Sequence, residues 1–141
     1  MSIDRSTDSS HARQAAPLAL APFEHYMAAD DSAEYPMNLL WHLEFQGEIE
    51  RARFANALQA ALTRHPLLRS RMSRPPRHRR STIAWIPADN PEGSIAWHDD
   101  SWTALVNSVK PLNIEYDFPF RAHVLVRDGS SQVLLQFHHS A

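Results

Sequence analysis

The sequence predicts an α/β domain, a two-layer sandwich in which helices lie on a mixed or largely antiparallel sheet. Three patterns lead to it. Apolar residues recur with a helical period between Phe54 and His65. One side of an alternating run from Leu39 to Phe45 is wholly apolar, and two strand-like runs flank an Asp128-Gly129 turn.

Residues 1–17 are polar, with Asp4 and Asp8 beside Arg5 and Arg13, and lack the apolar run of a secretory signal; they read as a flexible leader. Residues 18–29 carry Phe23, Tyr26 and Met27 at near-helical spacing after Pro22, a residue that a first helical turn tolerates, so a short helix starts there. Residues 30–36 form a loop. Next, Leu39, Trp41, Leu43 and Phe45 share one face and Leu40, His42 and Glu44 the other, as in a half-buried strand. Gly47 breaks that strand. Phe54, Leu58, Ala61, Leu62 and His65 then fall on one helical stripe. Glu50 suits the positive end of that helix dipole, Arg64 the negative end, and Pro66 stops the helix.

Residues 67–72 predict a short strand, and 69–80 make a basic run ending in a proline-containing loop. Residues 82–86 and 94–98 read as strands separated by a turn-rich stretch over 87–93. Asp99, Asp100 and Ser101 offer caps for a helix that buries Trp102, Leu105, Val106 and Val109 and ends at Pro111. The last element is a hairpin. Phe120, Ala122, Val124 and Val126 alternate with Arg121, His123, Leu125 and Arg127, and residues 132–137 return after the turn.

Composition narrows the function classes. With 141 residues, 43 % of them apolar, the chain suits one globular domain with its own core. Cysteine is absent, which excludes disulfides and thiolate metal sites; a reducing, cytoplasmic setting is the expectation. A net charge of −2 gives no general pull towards nucleic acid or anionic membrane, and no segment has the length of a membrane span. The basic run at 69–80 lacks interleaved aromatics and reads as a solvated loop. Contact with a pantetheine phosphate is a narrower reading, and nucleic-acid binding a remote one.

Nine histidines raise the question of a metal. His138 and His139 are adjacent, so on an extended strand they face opposite ways and cannot easily share one ion; no metal centre is expected. Alternation places His139 on the side of Phe137, Leu135 and Val133 if the strand persists that far. An imidazole among apolar neighbours is held neutral, which suits a general base. On spacing alone, a structural pair of histidines is the other reading.

Several segments in order bear on that choice. Phe137-His-His-Ser-Ala141 resembles the opening of the His-His-x-x-x-Asp-Gly signature of condensation domains and related thioester-dependent acyltransferases. Arg64-His-Pro-Leu-Leu-Arg-Ser-Arg71 resembles the block that ends the family's first long helix, and Gly47-Glu-Ile-Glu50 the entry to it. Pro111-Leu-Asn-Ile114 and Pro119-Phe-Arg-Ala122 look like the segments before the signature hairpin. The resemblance runs over 18–141.

That resemblance implies the N-terminal lobe of a two-lobed, chloramphenicol-acetyltransferase-like molecule with its active site where the lobes meet. The activity implied is transfer of an acyl group from a coenzyme A or carrier-protein thioester to an alcohol or amine, a reaction of secondary metabolism. His139 would be the general base, His138 structural, and Arg69 a brace for the signature loop. No cofactor is held permanently; acyl-CoA or a phosphopantetheinyl carrier thioester is the substrate. The signature's aspartate and glycine fall past Ala141, and so does the second lobe. The expectation is therefore a fragment, inactive alone, whose uncovered apolar surface allows self-association. The alternative is a non-catalytic α/β interaction module that kept the fold and lost the chemistry.

Overall fold

The computed structural model describes residues 16–74, 82–88 and 94–141. Most of the leader, the end of the basic run and most of the 87–93 turn therefore lie outside the described residues. Strand β1 (Leu18–Ala19) leads into helix α1 (Pro22–Asp30), strand β2 (Asn38–Gln46) and helix α2 (Arg51–Arg64). A 3₁₀ turn (Pro66–Arg69) is followed by β3 (Ser70–Ser73), β4 (Ala84–Pro87), β5 (Ile95–His98) and helix α3 (Trp102–Ser108). The hairpin is β6 (Phe120–Arg127) and β7 (Ser130–His138).

These strands form two sheets, a small one in the order β1-β4-β3 and a larger one in the order β2-β7-β6-β5. In the larger sheet β5 runs parallel to β6 and the other pairs are antiparallel, so the sheet is mixed as expected. The hairpin closes through Asp128 and Gly129, both at positive φ (52° and 73°), the geometry of a two-residue turn whose twist matches the strands. Gly47 takes a positive φ of 92° where β2 ends, and its N–H donates to the carbonyl of Gly129 at 2.9 Å. The end of β2 and the hairpin turn thus meet at one corner of the sheet.

Register decides the faces. Phe137 pairs with Leu39 and Phe120, and Leu135 with Trp41 and Ala122, so these residues share one face of the sheet. Helix α2 packs there through Phe54, Leu58 and Leu62. Leu125 and Leu134 lie on the opposite face under Trp102, Leu105 and Val109 of the α3 region. The small sheet builds a separate cluster in which Trp85, fully buried, meets Leu20, Ala28, Met72 and Ile114. Glu24 links α1 to this sheet by accepting from both its own helix start (Ala21 N–H, 2.8 Å) and Trp85 Nε1 (3.2 Å).

Helix α2 starts as the charge pattern suggested: the Glu50 carboxylate accepts the N–H groups of Ala52 and Arg53 at 3.0 Å each. Its expected buried stripe is only partly covered, since Leu62 is buried but Ala61 and His65 are exposed. Residues 67–72 are not one strand. The His65 N–H closes α2 on the Leu62 carbonyl at 3.1 Å, and Pro66 opens a 3₁₀ turn in which the Leu68 N–H donates to His65 O at 3.1 Å and Ser70 Oγ to Pro66 O at 2.7 Å; pairing begins only at Ser70. Val106, expected in a buried stripe, is exposed because α3 spans barely two turns. Strand β2 exists as predicted, yet it is an outer strand of its sheet, and Trp41, Leu43 and Phe45 remain exposed.

Candidate functional site

The site is built where β7 runs out. Phe137 still faces α2, and the next residue, His138, turns its ring to the other side and is completely buried. Its N–H donates to the carbonyl of Pro119 at 2.9 Å. The strand then stops. His139 lies in a turn in which its own N–H donates to Met37 O at 2.8 Å and the Ala141 N–H donates back to His138 O at 3.2 Å.

Strand β7 thus ends one residue short of His139. The side chain of His139 is exposed. The burial expected around residue 139 falls on His138 instead. The ring of His138 is pushed below its ordinary value chiefly by burial; a nearby Asp31 carboxylate opposes that shift and His139 adds to it.

The contacts of the His138 ring settle its tautomer. The N–H of Ser140 donates to Nδ1 at 3.2 Å, and Ser140 Oγ stands 2.7 Å from the same atom. Nδ1 is thus an acceptor, and the neutral ring carries its proton on Nε2. Nε2 stands 3.4 Å from Asp31 Oδ2 without forming a hydrogen bond, so this buried N–H is the least satisfied group at the site.

Arg69 is half-buried and binds the end of β4: Nε and Nη2 donate to Ala88 O at 3.2 and 2.9 Å, and the Ala88 N–H returns to Arg69 O at 3.0 Å. Beside the histidine turn, residues 64–68 and Phe137 line a groove of about 450 Å³. Asp31 lines a second hollow of about 360 Å³ with Arg74 and Glu115. Sequence reasoning did not single out Asp31 or Ser140. Ser140 lies close enough to His138 to have been noticed, whereas Asp31 sits in the loop after α1, and no local pattern links it to the chain's last strand.

A second polar cluster crosses the same sheet on the face of α3. His98 Nε2 stands 3.1 Å from His123 Nδ1, and His123 Nε2 stands 3.4 Å from Gln136 Oε1. Gln136 Nε2 donates to Asn38 Oδ1 at 3.0 Å and to Lys110 O at 2.8 Å; Asn38 Oδ1 also accepts the Leu112 N–H at 3.0 Å. This cluster joins β5, β6, β7 and β2 to the segment before the hairpin.

No protein-family model matches the chain, and no curated protein does. Solved structures do match. The condensation domain from monacolin K polyketide synthase MokA is 17 % identical with a TM-score of 0.69, covering 89 % of this chain and 30 % of that one. The starter condensation domain of rhizomide synthetase RzmA is 18 % identical with a TM-score of 0.68, over 89 % of this chain and 33 % of that one; a mutant of it has been solved in complex with C8-CoA. Tallysomycin biosynthesis protein TlmII is 15 % identical with a TM-score of 0.67, over 87 % and 33 %. The chain spans about a third of the length of these structures. Over nearly its whole described length, the chain has the fold of a condensation domain.

Proposed function

We propose that residues 18–141 are the N-terminal lobe of a condensation-type acyltransferase that moves an acyl group from a coenzyme A or carrier-protein thioester to an alcohol or amine. His139 is its general base, with His138 and Arg69 in supporting roles. The observation that carries this reading is the pair of unlike imidazoles ending β7 within a condensation-domain fold: an exposed ring at 139 on a turn held by a buried ring at 138. The C8-CoA complex of the rhizomide starter domain supports an acyl-CoA as the donor.

In this reaction the acceptor oxygen or nitrogen bonds to the thioester carbonyl carbon while Nδ1 or Nε2 of His139 takes its proton. The carbon–sulfur bond then breaks, and the departing thiolate takes the proton from the ring, leaving an ester or amide. Holding both substrates in one cleft supplies much of the acceleration, because it removes translational and rotational freedom before the bond forms. That cleft needs a second lobe, so the lobe alone is inactive. The test is His139→Ala in the two-lobe protein, assayed for thioester-dependent transfer. A loss of at least about a hundredfold is expected; near-normal turnover removes His139 from the mechanism. Transfer by the 141-residue chain by itself would contradict the need for a second lobe.

A further inference from the structure

The His138 ring has no exposed surface, so each of its nitrogens must find its partner inside the protein. Nδ1 has Ser140. On the Nε2 side stands Asp31, the residue at the C-cap of α1. Oδ1 accepts the Met37 N–H at 2.8 Å and Oδ2 faces His138 Nε2 at 3.4 Å. Met37 in turn offers its carbonyl to the His139 N–H at 2.8 Å. One carboxylate therefore faces the ring of the first histidine and, through a single residue, holds the backbone of the second.

We infer that Asp31 is a positioning residue for the two-histidine turn: it selects the Nε2–H tautomer of His138 and sets the backbone register from which His139 is presented. Its consequence for turnover rests on the acyltransferase reading; its role in the turn does not. The chemistry requires an acceptor on both sides. Met37 N–H and His138 Nε2–H are both donors, and the Ser140 N–H, which cannot accept, keeps Nδ1 unprotonated. A carboxylate presents an acceptor to both donors at once. An amide of the same shape has one acceptor and one donor, and satisfies only one. If it keeps Met37, its NH₂ faces Nε2, and the ring proton is driven to Nδ1, donor against donor with the Ser140 N–H. The turn then loses the bond that folds Ser140 back on His138.

Asp31→Asn is thus an isosteric test. In the 141-residue chain labelled with ¹⁵N-histidine, long-range ¹H–¹⁵N correlation is expected to show the Nε2–H tautomer for His138. In Asp31→Asn that signature is lost, and exchange of the His139 amide accelerates by at least about tenfold as the turn opens locally. A wild-type His138 in the Nδ1–H form overturns the inference without any variant. So does an Asp31→Asn chain whose tautomer and His139 exchange are unchanged, the result expected if Asp31 merely capped Met37. In the two-lobe protein Asp31→Asn lowers kcat and leaves KM for the thioester unchanged, and an unchanged kcat overturns the positioning role. His139→Ala is the control for the reaction itself. If it leaves turnover intact the proposed function fails, while tautomer and exchange still decide what Asp31 does to the turn.

Discussion

Among the described residues, His123 and His138 are imidazoles whose folded environment opposes their charge. Burial is the largest cause for each. For His123, the hydrogen bond to Gln136 acts the other way, and His98 and Arg121 add to the downward push. Its geometry agrees, because Gln136 Oε1 can only accept, so His123 Nε2 carries the proton and Nδ1 is left to accept from His98. Protonating His123 would set two N–H groups against each other at 3.1 Å. Both folded values lie below the ordinary 6.5, so the unfolded chain binds protons first as pH falls. The stability these rings contribute is full above about pH 6.5 and is lost as pH drops through their lower folded values. The urea midpoint should therefore fall between about pH 7.5 and about pH 5.5. His123→Gln, which cannot titrate, should shrink that fall; an undiminished fall would show that other groups cause it.

At the scale of elements, local pattern and local geometry agree best at the hairpin. Asp128-Gly129 between alternating runs predicted the turn, and the positive φ at both residues is the reason that pair is used. A Cβ at Gly129 would meet nothing within 4 Å, so Gly129→Ala carries only the backbone penalty of its φ of 73°. The expected loss is about 1–2 kcal/mol, measured by urea unfolding; a smaller effect would mean that the turn relaxes to another type. Helix α2 and strand β2 were equally legible, because their periods repeat over many residues. The 67–72 segment was not. Its apolar character suited a strand, but Pro66, which cannot carry on the helix, opens a 3₁₀ turn there first.

For the molecule as a whole, the large sheet is open along β2. Leu40, Trp41, Leu43 and Phe45 are 46, 53, 39 and 44 % exposed, and β2 pairs on one side only among the described residues. An outer strand with unpaired backbone groups and apolar side chains is a template for another chain. Sedimentation of the 141-residue chain should show concentration-dependent self-association, and Leu43→Lys should reduce it by charging the strand. A chain that stays monomeric at high concentration would mean that this edge is not adhesive. In the proposed two-lobe protein such surface is available to the second lobe. The sheet also carries the candidate site, since it brings the last strand beside the loop that follows the first helix.

The amino-acid order alone determined the α/β class, the long helix, the hairpin and the position of two histidines at a strand's end, because each depends on neighbours a few residues apart. The tertiary structure decided which imidazole is buried. The ring of His138, at the end of β7, is buried and faces Asp31, and His139 in the turn that follows is left exposed. It also decided that β2 lies on the outside and that His123, Gln136 and Asn38 join across three strands. Those outcomes depend on which distant segments meet, and periodicity within one segment carries no information about its partner.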